Sequence, residues 1–162
     1  MKKNRILLLA FMFIMFISMY IDIVGADITE KSVKLTKLTK LTSTELGLVK
    51  LEYARTQQEQ SYGLMNRQSL CSGCAMLFIY NQPVLGSFWM KNTYISLDII
   101  FIDADGKIVA LHQKTEPLNA NKLYNSDKYY KYVLETNAGF AKNNNLTVNS
   151  YIDIAELLNK FH

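Results

Sequence analysis

The chain has 162 residues, 49% hydrophobic and 12% aromatic, with 18 basic against 14 acidic side chains and a formal net charge of +4. Two Pro among many Tyr, Phe and Ile exclude a disordered chain, and two Cys are too few for a structural zinc site built on thiolates. Much of the basic excess sits at the N-terminus, and no Lys/Arg cluster of the kind that tracks phosphates follows it, which argues against a nucleic-acid partner.

Met1-Lys2-Lys3-Asn4-Arg5 precedes an apolar run from Ile6 to Ile21 interrupted only by Ser18, the layout of a secretion signal. As a helix this run would span roughly 24 Å, short of the ~30 Å of a hydrocarbon core. Val24-Gly25-Ala26 then offers small residues before a cut that would leave Asp27 first. Residues 1–26 are thus expected to be a signal peptide and the protein to be exported, periplasmic or secreted. Asp22 lies unusually close to the cut, so the alternative is an uncleaved anchor, the one case in which membrane contact is expected. Loss of 1–26 removes Lys2, Lys3, Arg5 and Asp22 and leaves 136 residues, the size of one domain, at a net charge of +2.

Residues 27–42 repeat Lys-Leu-Thr with a three-residue period that fits neither strand nor helix, and are expected to be a linker whose last unit joins the first strand. A domain over 43–156 and a tail over 157–162 follow. Alternation from Leu46 to Ala54 predicts a half-buried strand with Val49, Leu51 and Tyr53 on one face and Lys50 and Glu52 on the other. Thr56-Gln57-Gln58-Glu59 has capping-box spacing and predicts a short helix from Gln57 to Asn66. The apolar run Ala75 to Tyr80 predicts a buried strand, with Pro83 and Gly86 marking the turn after it. Ser87 to Thr93 and Ile95 to Asp103 read as two more strands. Asp103-Ala104-Asp105-Gly106 between two apolar runs predicts a tight hairpin. A calcium loop is excluded there, because Lys107 and Lys114 stand where it would need oxygen ligands. A long loop over 112–128, a strand from Tyr129 to Glu135, a short helix near 137–142 closed by Asn, and a last strand from Tyr151 to Ile154 complete the series. The fold class is mainly β (α+β), a single compact antiparallel sandwich or distorted barrel of about seven strands and two short helices.

Five blocks occur in order along this frame: Tyr62-Gly63-Leu64-Met65-Asn66-Arg67, Ala75-Met76-Leu77-Phe78, Ser87-Phe88-Trp89-Met90-Lys91-Asn92-Thr93, Leu97 to Asp103, and Tyr132 to Gly139. Together they closely resemble the DUF192 (UPF0127) family of small, often exported bacterial and archaeal proteins. The resemblance covers about residues 38 to 155, and the Phe-Trp-Met-Lys-Asn-Thr string is its most specific part. It implies a compact β-rich fold of sandwich or distorted-barrel type and no established activity. The chain departs from the family pattern at Ala75 and Gln60, where Gly and Arg are usual, and at Asn145 to Ser150, where Asn takes the place of turn glycines.

Several residues carry candidate chemistry. If the Phe88/Met90 face of the Phe-Trp-Met-Lys-Asn-Thr strand is core, Trp89, Lys91 and Thr93 face outward as an aromatic platform beside a donor, suited to a polar ligand. The bland alternative pairs Lys91 with Asp98 or Glu135 and makes Asn92 a turn cap. Arg67, Lys91, Asp98 and Glu135 stand among apolar neighbours, where charges must pair, so a charged cluster spanning several strands is expected. It would be either a pocket or an internal ion-pair network, and Asp98 with Glu135 would serve hydrolysis only if both opened into one pocket. Cys71-Ser72-Gly73-Cys74 precedes a strand and follows a helix, unlike a thioredoxin motif. It leaves open a structural disulfide or inert thiols, thiol exchange, and metal binding. His112 reads as a structural histidine. The leading expectation is an exported, non-catalytic binding or accessory domain with no cofactor. Its ligand-binding residues would be Trp89, Lys91, Asn92 and Thr93 with Asp98, Glu135 and Arg67 nearby, and its partner a small polar ligand or a protein. The runner-up is an exported thiol-active protein working through Cys71 and Cys74.

Overall fold

The computed structural model describes residues 40–161. The expected signal peptide and all but the last unit of the Lys-Leu-Thr linker lie outside these residues. Among them are nine strands and three short helices: β1 (Lys40–Leu41), β2 (Lys50–Ala54), α1 (Gln57–Tyr62), β3 (Cys74–Val84), β4 (Ser87–Phe88), β5 (Leu97–Ile102), β6 (Ile108–His112), β7 (Tyr124–Asn125), β8 (Tyr130–Asn137), α2 (Phe140–Asn143), β9 (Tyr151–Ile152) and α3 (Ile154–Lys160). No described helix is long and apolar enough to cross a membrane.

Five strands form the central sheet in the order β2-β3-β8-β5-β6. β3, β8, β5 and β6 pair antiparallel, as the hairpin and the alternation suggested, but β2 runs parallel to β3. A parallel neighbour needs a crossover, and the α1 segment supplies it. The sheet is open rather than closed into a barrel. Two-stranded pairs, β1 with β9 in parallel and β4 with β7 antiparallel, lie outside it.

Both faces of the sheet are covered, which explains why β5 is Leu-Asp-Ile-Ile-Phe-Ile with every residue buried instead of alternating. Leu51, Leu77, Ile100, Ile102 and Leu134 point to one core, closed by Ile152, Ile154 and Leu157. Met76, Phe78, Ile99, Phe101 and Val133 point to the other, closed by Leu64, Met90, Tyr124 and Tyr130. At roughly 1.5–3 kcal/mol for each large apolar side chain removed from water, these two layers dominate the stabilisation.

Local chemistry agrees with the sequence where it is short-ranged. Thr56 caps α1, its hydroxyl accepting from Glu59 N at 3.2 Å while the Glu59 carboxylate accepts from Thr56 N at 2.8 Å. The β5–β6 turn is tied by the Asp103 carboxylate, which accepts from Asp105 N and Lys107 N at 2.9 Å each. Gly106 is required there: φ is +90°, and a Cβ would stand 2.3 Å from the Ile152 carbonyl oxygen. Asn145, at φ +53°, closes the α2 turn in the left-handed conformation. His112 is structural, its Nε2 2.7 Å from the Asn125 carbonyl and its ring edge-on to Phe101 and Tyr124.

Several boundaries differ from expectation, and β2 begins only at Lys50, with Val49 exposed outside it. α1 stops at Tyr62, because Gly63 leaves the helical region at φ +49° and ψ −129°. β3 runs on to Val84 through a register shift after Ile79 that accommodates Pro83, which has no N–H for a ladder. The expected tail from 157 is instead most of α3, capped by Asp153 and buried at Leu157. α3 also anchors the chain entry, for the Glu156 carboxylate accepts from Ser43 N and Oγ at 2.8 and 2.7 Å.

Candidate functional site

The site is a cleft of about 280 Å³ between α1, the outer half of β3, β8 and the Trp89–Thr93 segment. Its wall on one side is α1 and the turn that follows. α1 is placed by Gln60, whose amide donates to the Ile79 carbonyl at 2.9 Å. The turn is then fastened to the opposite wall by Asn66 N, which donates to the Asn92 carbonyl at 2.7 Å.

That opposite wall is the Phe-Trp-Met-Lys-Asn-Thr block, and it is not a continuous strand. Pairing ends at Phe88, and Asn92 takes φ +54°, which turns the chain. Met90 is wholly buried, Trp89 is 47% exposed and Thr93 is 5% exposed. The expected outward trio of Trp89, Lys91 and Thr93 is therefore split: Trp89 and Thr93 line the cleft, and Lys91 stays outside with its ammonium over the Trp89 ring, 5.6 Å from the centroid. Beneath the walls lies a chain of edge-to-face aromatics, Phe78 to Phe88, Phe88 to Phe101 and Phe101 to Tyr130, with centroids 4.9 to 5.5 Å apart.

Glu135 forms part of the lining of this cleft. It sits at the middle of the sheet, paired with Met76 on one side and Ile99 on the other. It is 5% exposed, and among the described residues no ion pair reaches it. Burial alone pushes its carboxyl up to about 8. The group is thus mostly protonated at neutral pH, a donor as well as an acceptor. Gly63 makes room above it, since a Cβ there would lie 3.2 Å from the Phe78 ring and 3.9 Å from Glu135 Oε2. Tyr80, on the same wall, has its hydroxyl pushed above the ordinary tyrosine range by burial first, then by Tyr130 and by the Glu135 charge.

The charged cluster expected from sequence does not form. Arg67 makes a two-pronged pair with Glu52, Nη1 to Oε1 at 2.9 Å and Nη2 to Oε2 at 2.6 Å, and holds that carboxyl down at about 2. Asp98 pairs with Thr136 in the ladder, one position from the Glu135–Ile99 pair, so it faces the other side of the sheet. There its carboxylate accepts three backbone N–H groups, from Lys114 at 2.9 Å, Gly139 at 3.0 Å and Ala141 at 2.9 Å. Asp98 organises the α2 turn, and with the sheet between it and Glu135 the two carboxyls do not share a pocket. Asn92 acts through its backbone, as a turn.

Sequence reasoning passed over Tyr62, Gly63, Phe78, Tyr80 and Phe88 as lining residues. The signal for Gly63 was present in Tyr-Gly-Leu-Met, a glycine directly after a capped helix. Nothing in the sequence foretold that β3 would carry Tyr80 past its bulge into the same cleft.

Cys71 and Cys74 form a disulfide. Cys74 is buried at the start of β3 and Cys71 is exposed. The loop is clamped by Asn137, whose side-chain amide donates to the carbonyls of Leu70 and Cys71 at 2.9 and 3.1 Å. The pair lies outside the residues that line the cleft.

Comparison with known proteins agrees with this architecture. A crystal structure of a protein of unknown function from Novosphingobium aromaticivorans is similar at a TM-score of 0.60 and 34% identity, over 62% of this chain and 71% of that one. A protein from Sinorhizobium meliloti, named provisionally as a transcription regulator, is similar at a TM-score of 0.60 and 33% identity, over 62% of this chain and 78% of that one. No curated protein matches. Residues 38–154 match the DUF192 family, described as Uncharacterized ACR, and the chain belongs to that family.

Proposed function

We propose that this chain is an exported, non-catalytic binding domain whose ligand occupies the cleft between α1 and the Trp89–Thr93 segment. One observation carries the reading: a carboxyl buried among apolar neighbours, without an ionic partner, lines a cleft whose walls are aromatic. The Glu135 oxygens open to the cleft instead of being sealed without a partner, so a ligand entering there can meet them directly. Aromatic walls with a few convergent polar groups are the ordinary make-up of a small-molecule site. The non-catalytic part rests on the solitary position of Glu135. Two-carboxyl hydrolysis needs a second acid within roughly 5–10 Å in the same pocket, and Asp98 lies across the sheet.

The Cys71–Cys74 runner-up has less support. Its loop is held by Asn137 and one sulfur is buried, which fits a structural bridge better than one poised for exchange. Export rests on the N-terminal leader pattern and on the presence of a disulfide, a bond that persists in oxidising compartments.

Trp89 is the only tryptophan, so intrinsic fluorescence reports on the cleft. Screening a library of small polar fragments should find members that saturably change Trp89 emission, and Glu135→Leu should weaken them at least tenfold. A library that leaves Trp89 unmoved, or hits indifferent to Glu135, would remove the cleft as the ligand site. Intact mass of the exported protein should begin at Asp27.

A further inference from the structure

We infer that the ligand of this cleft presents a compact alkylammonium group to Glu135 and the surrounding aromatic rings. The inference rests on the cleft being a ligand site and names the chemistry that fits it.

Charge supplies the first argument. Among the described residues Glu135 is the one lining group able to carry a full charge near neutral pH, and no described Lys, Arg or His lines the cleft. The two cations nearest in the family blocks are engaged elsewhere, Arg67 by both carboxylate oxygens of Glu52 and Lys91 by the outer surface of the Trp89 ring. A buried carboxylate requires a cation or several hydrogen bonds, and Asp98 shows what this fold does when the carboxylate is structural: it supplies three N–H donors. At Glu135 no such donor is found among the described residues, and burial pushes the carboxyl up. An anionic ligand would find no cation among the described lining residues.

The walls supply the second argument. Tyr62, Phe78, Tyr80, Phe88 and Trp89 line the cleft with the acid, and aromatic faces attract ammonium groups, most where water is excluded. Lys91 gives an internal instance, an ammonium already resting on Trp89. The volume of about 280 Å³ is at or below the ~300–1,000 Å³ of drug-sized sites, which favours a short alkylammonium such as a free amine or the end of a lysine side chain. Binding pairs the ammonium with ionised Glu135, so the acid proton passes to solvent as the ligand enters. The other titratable groups lining the cleft are Tyr62 from α1 and Tyr80 from β3, the latter with its hydroxyl pushed up by burial.

The test uses the mature protein and follows Trp89 emission while n-butylammonium chloride or 1-butanol is added. A second pair of probes separates the sources: a blocked Gly-Lys-Gly peptide against the same peptide with norleucine. The expected result is at least tenfold tighter binding of each ammonium probe than of its neutral counterpart, with the ratio falling to about one in Glu135→Gln. The Glu135→Gln protein should melt no lower than wild type, which separates lost binding from lost folding. Preference for butylammonium over the lysine peptide would assign a free amine, and the reverse a lysine-bearing partner. Equal or weaker binding of the ammonium probes, or a ratio unchanged in Glu135→Gln, overturns the inference. If hydroxylated fragments move Trp89 in a Glu135-dependent way while ammonium probes do not, the ammonium chemistry fails and the cleft stands as a site. If nothing moves Trp89, both fail.

Discussion

Asp98 and Glu135 sit on neighbouring strands of one sheet, one ladder position apart, and are almost equally hidden from water. Asp98 faces the side where α2 begins and is met by three backbone N–H groups. Glu135 faces the side where α1 and the Trp89 segment leave a cleft, and among the described residues no backbone donor or cation meets it. Burial and residue type do not separate these two acids; the supply of donors does. A carboxylate that collects donors from a turn holds that turn in place, whereas one left without them makes its surroundings selective for whatever completes it.

The largest effect expected from breaking this contrast is on the structural acid. Asp98→Ala would strand three N–H groups, at about 1–3 kcal/mol for each donor left unsatisfied, and should cost roughly 4 kcal/mol in urea denaturation. A loss below about 1 kcal/mol would show that water or neighbouring groups take over and that the two acids are alike. Next comes Glu135 and pH. The folded state holds its proton up to about 8 while the unfolded chain releases it near 4.5, so between these values the unfolded state binds fewer protons. Stability attributable to this group therefore falls as pH rises through that window, by roughly 3 kcal/mol from pH 5 to pH 8. Glu135→Gln should flatten that part of the stability profile and be the more stable protein at pH 8. A wild-type profile that rises over this range and is unaltered by the substitution would mean that Glu135 is ionised and satisfied.

Gly63→Ala tests the roof over the acid. It forces a side chain into a backbone conformation at φ +49° and ψ −129° and against the Phe78 ring. A cost of about 2 kcal/mol is expected, with a shift in Trp89 emission as α1 lifts. The smallest effect belongs to Arg67→Ala. Its pair with Glu52 is only partly buried, at 33% and 30% side-chain exposure, so the expected loss is about 1 kcal/mol and should shrink in 0.5 M salt.

What could be read from the sequence was what is local or what repeats. The Thr56–Glu59 box, the Asp103–Gly106 turn and the β5–β6 hairpin are specified by neighbours within a few residues, and the structure has them where the chain implies. The parallel pairing of β2 with β3, and of β1 with β9, joins distant segments and leaves no trace in periodicity. The site was legible in part for the same reason. Strand alternation assigned Trp89 and Thr93 to one face, and they do line one cleft, but through a turn at Asn92 and not through a strand, which is why Lys91 parted from them. Arg67, in the loop after α1, found Glu52 on β2, fifteen positions earlier, a choice decided by the path of that loop. The opposite facing of Asp98 and Glu135 is fixed by a one-residue offset in the β5–β8 ladder, a quantity that belongs to the fold and to neither segment alone.

α1 contributes no buried side chain; its position comes from a cap at one end, a glycine at the other and Gln60 reaching back to the sheet. Gln57 and Ser61, which face the cleft from this helix, are thereby free of any duty to the core. On the binding role proposed for the cleft, substitutions at those two positions would retune which ligand is accepted while melting temperature stays nearly constant, so preference for one ligand over another could drift without passing through unstable intermediates.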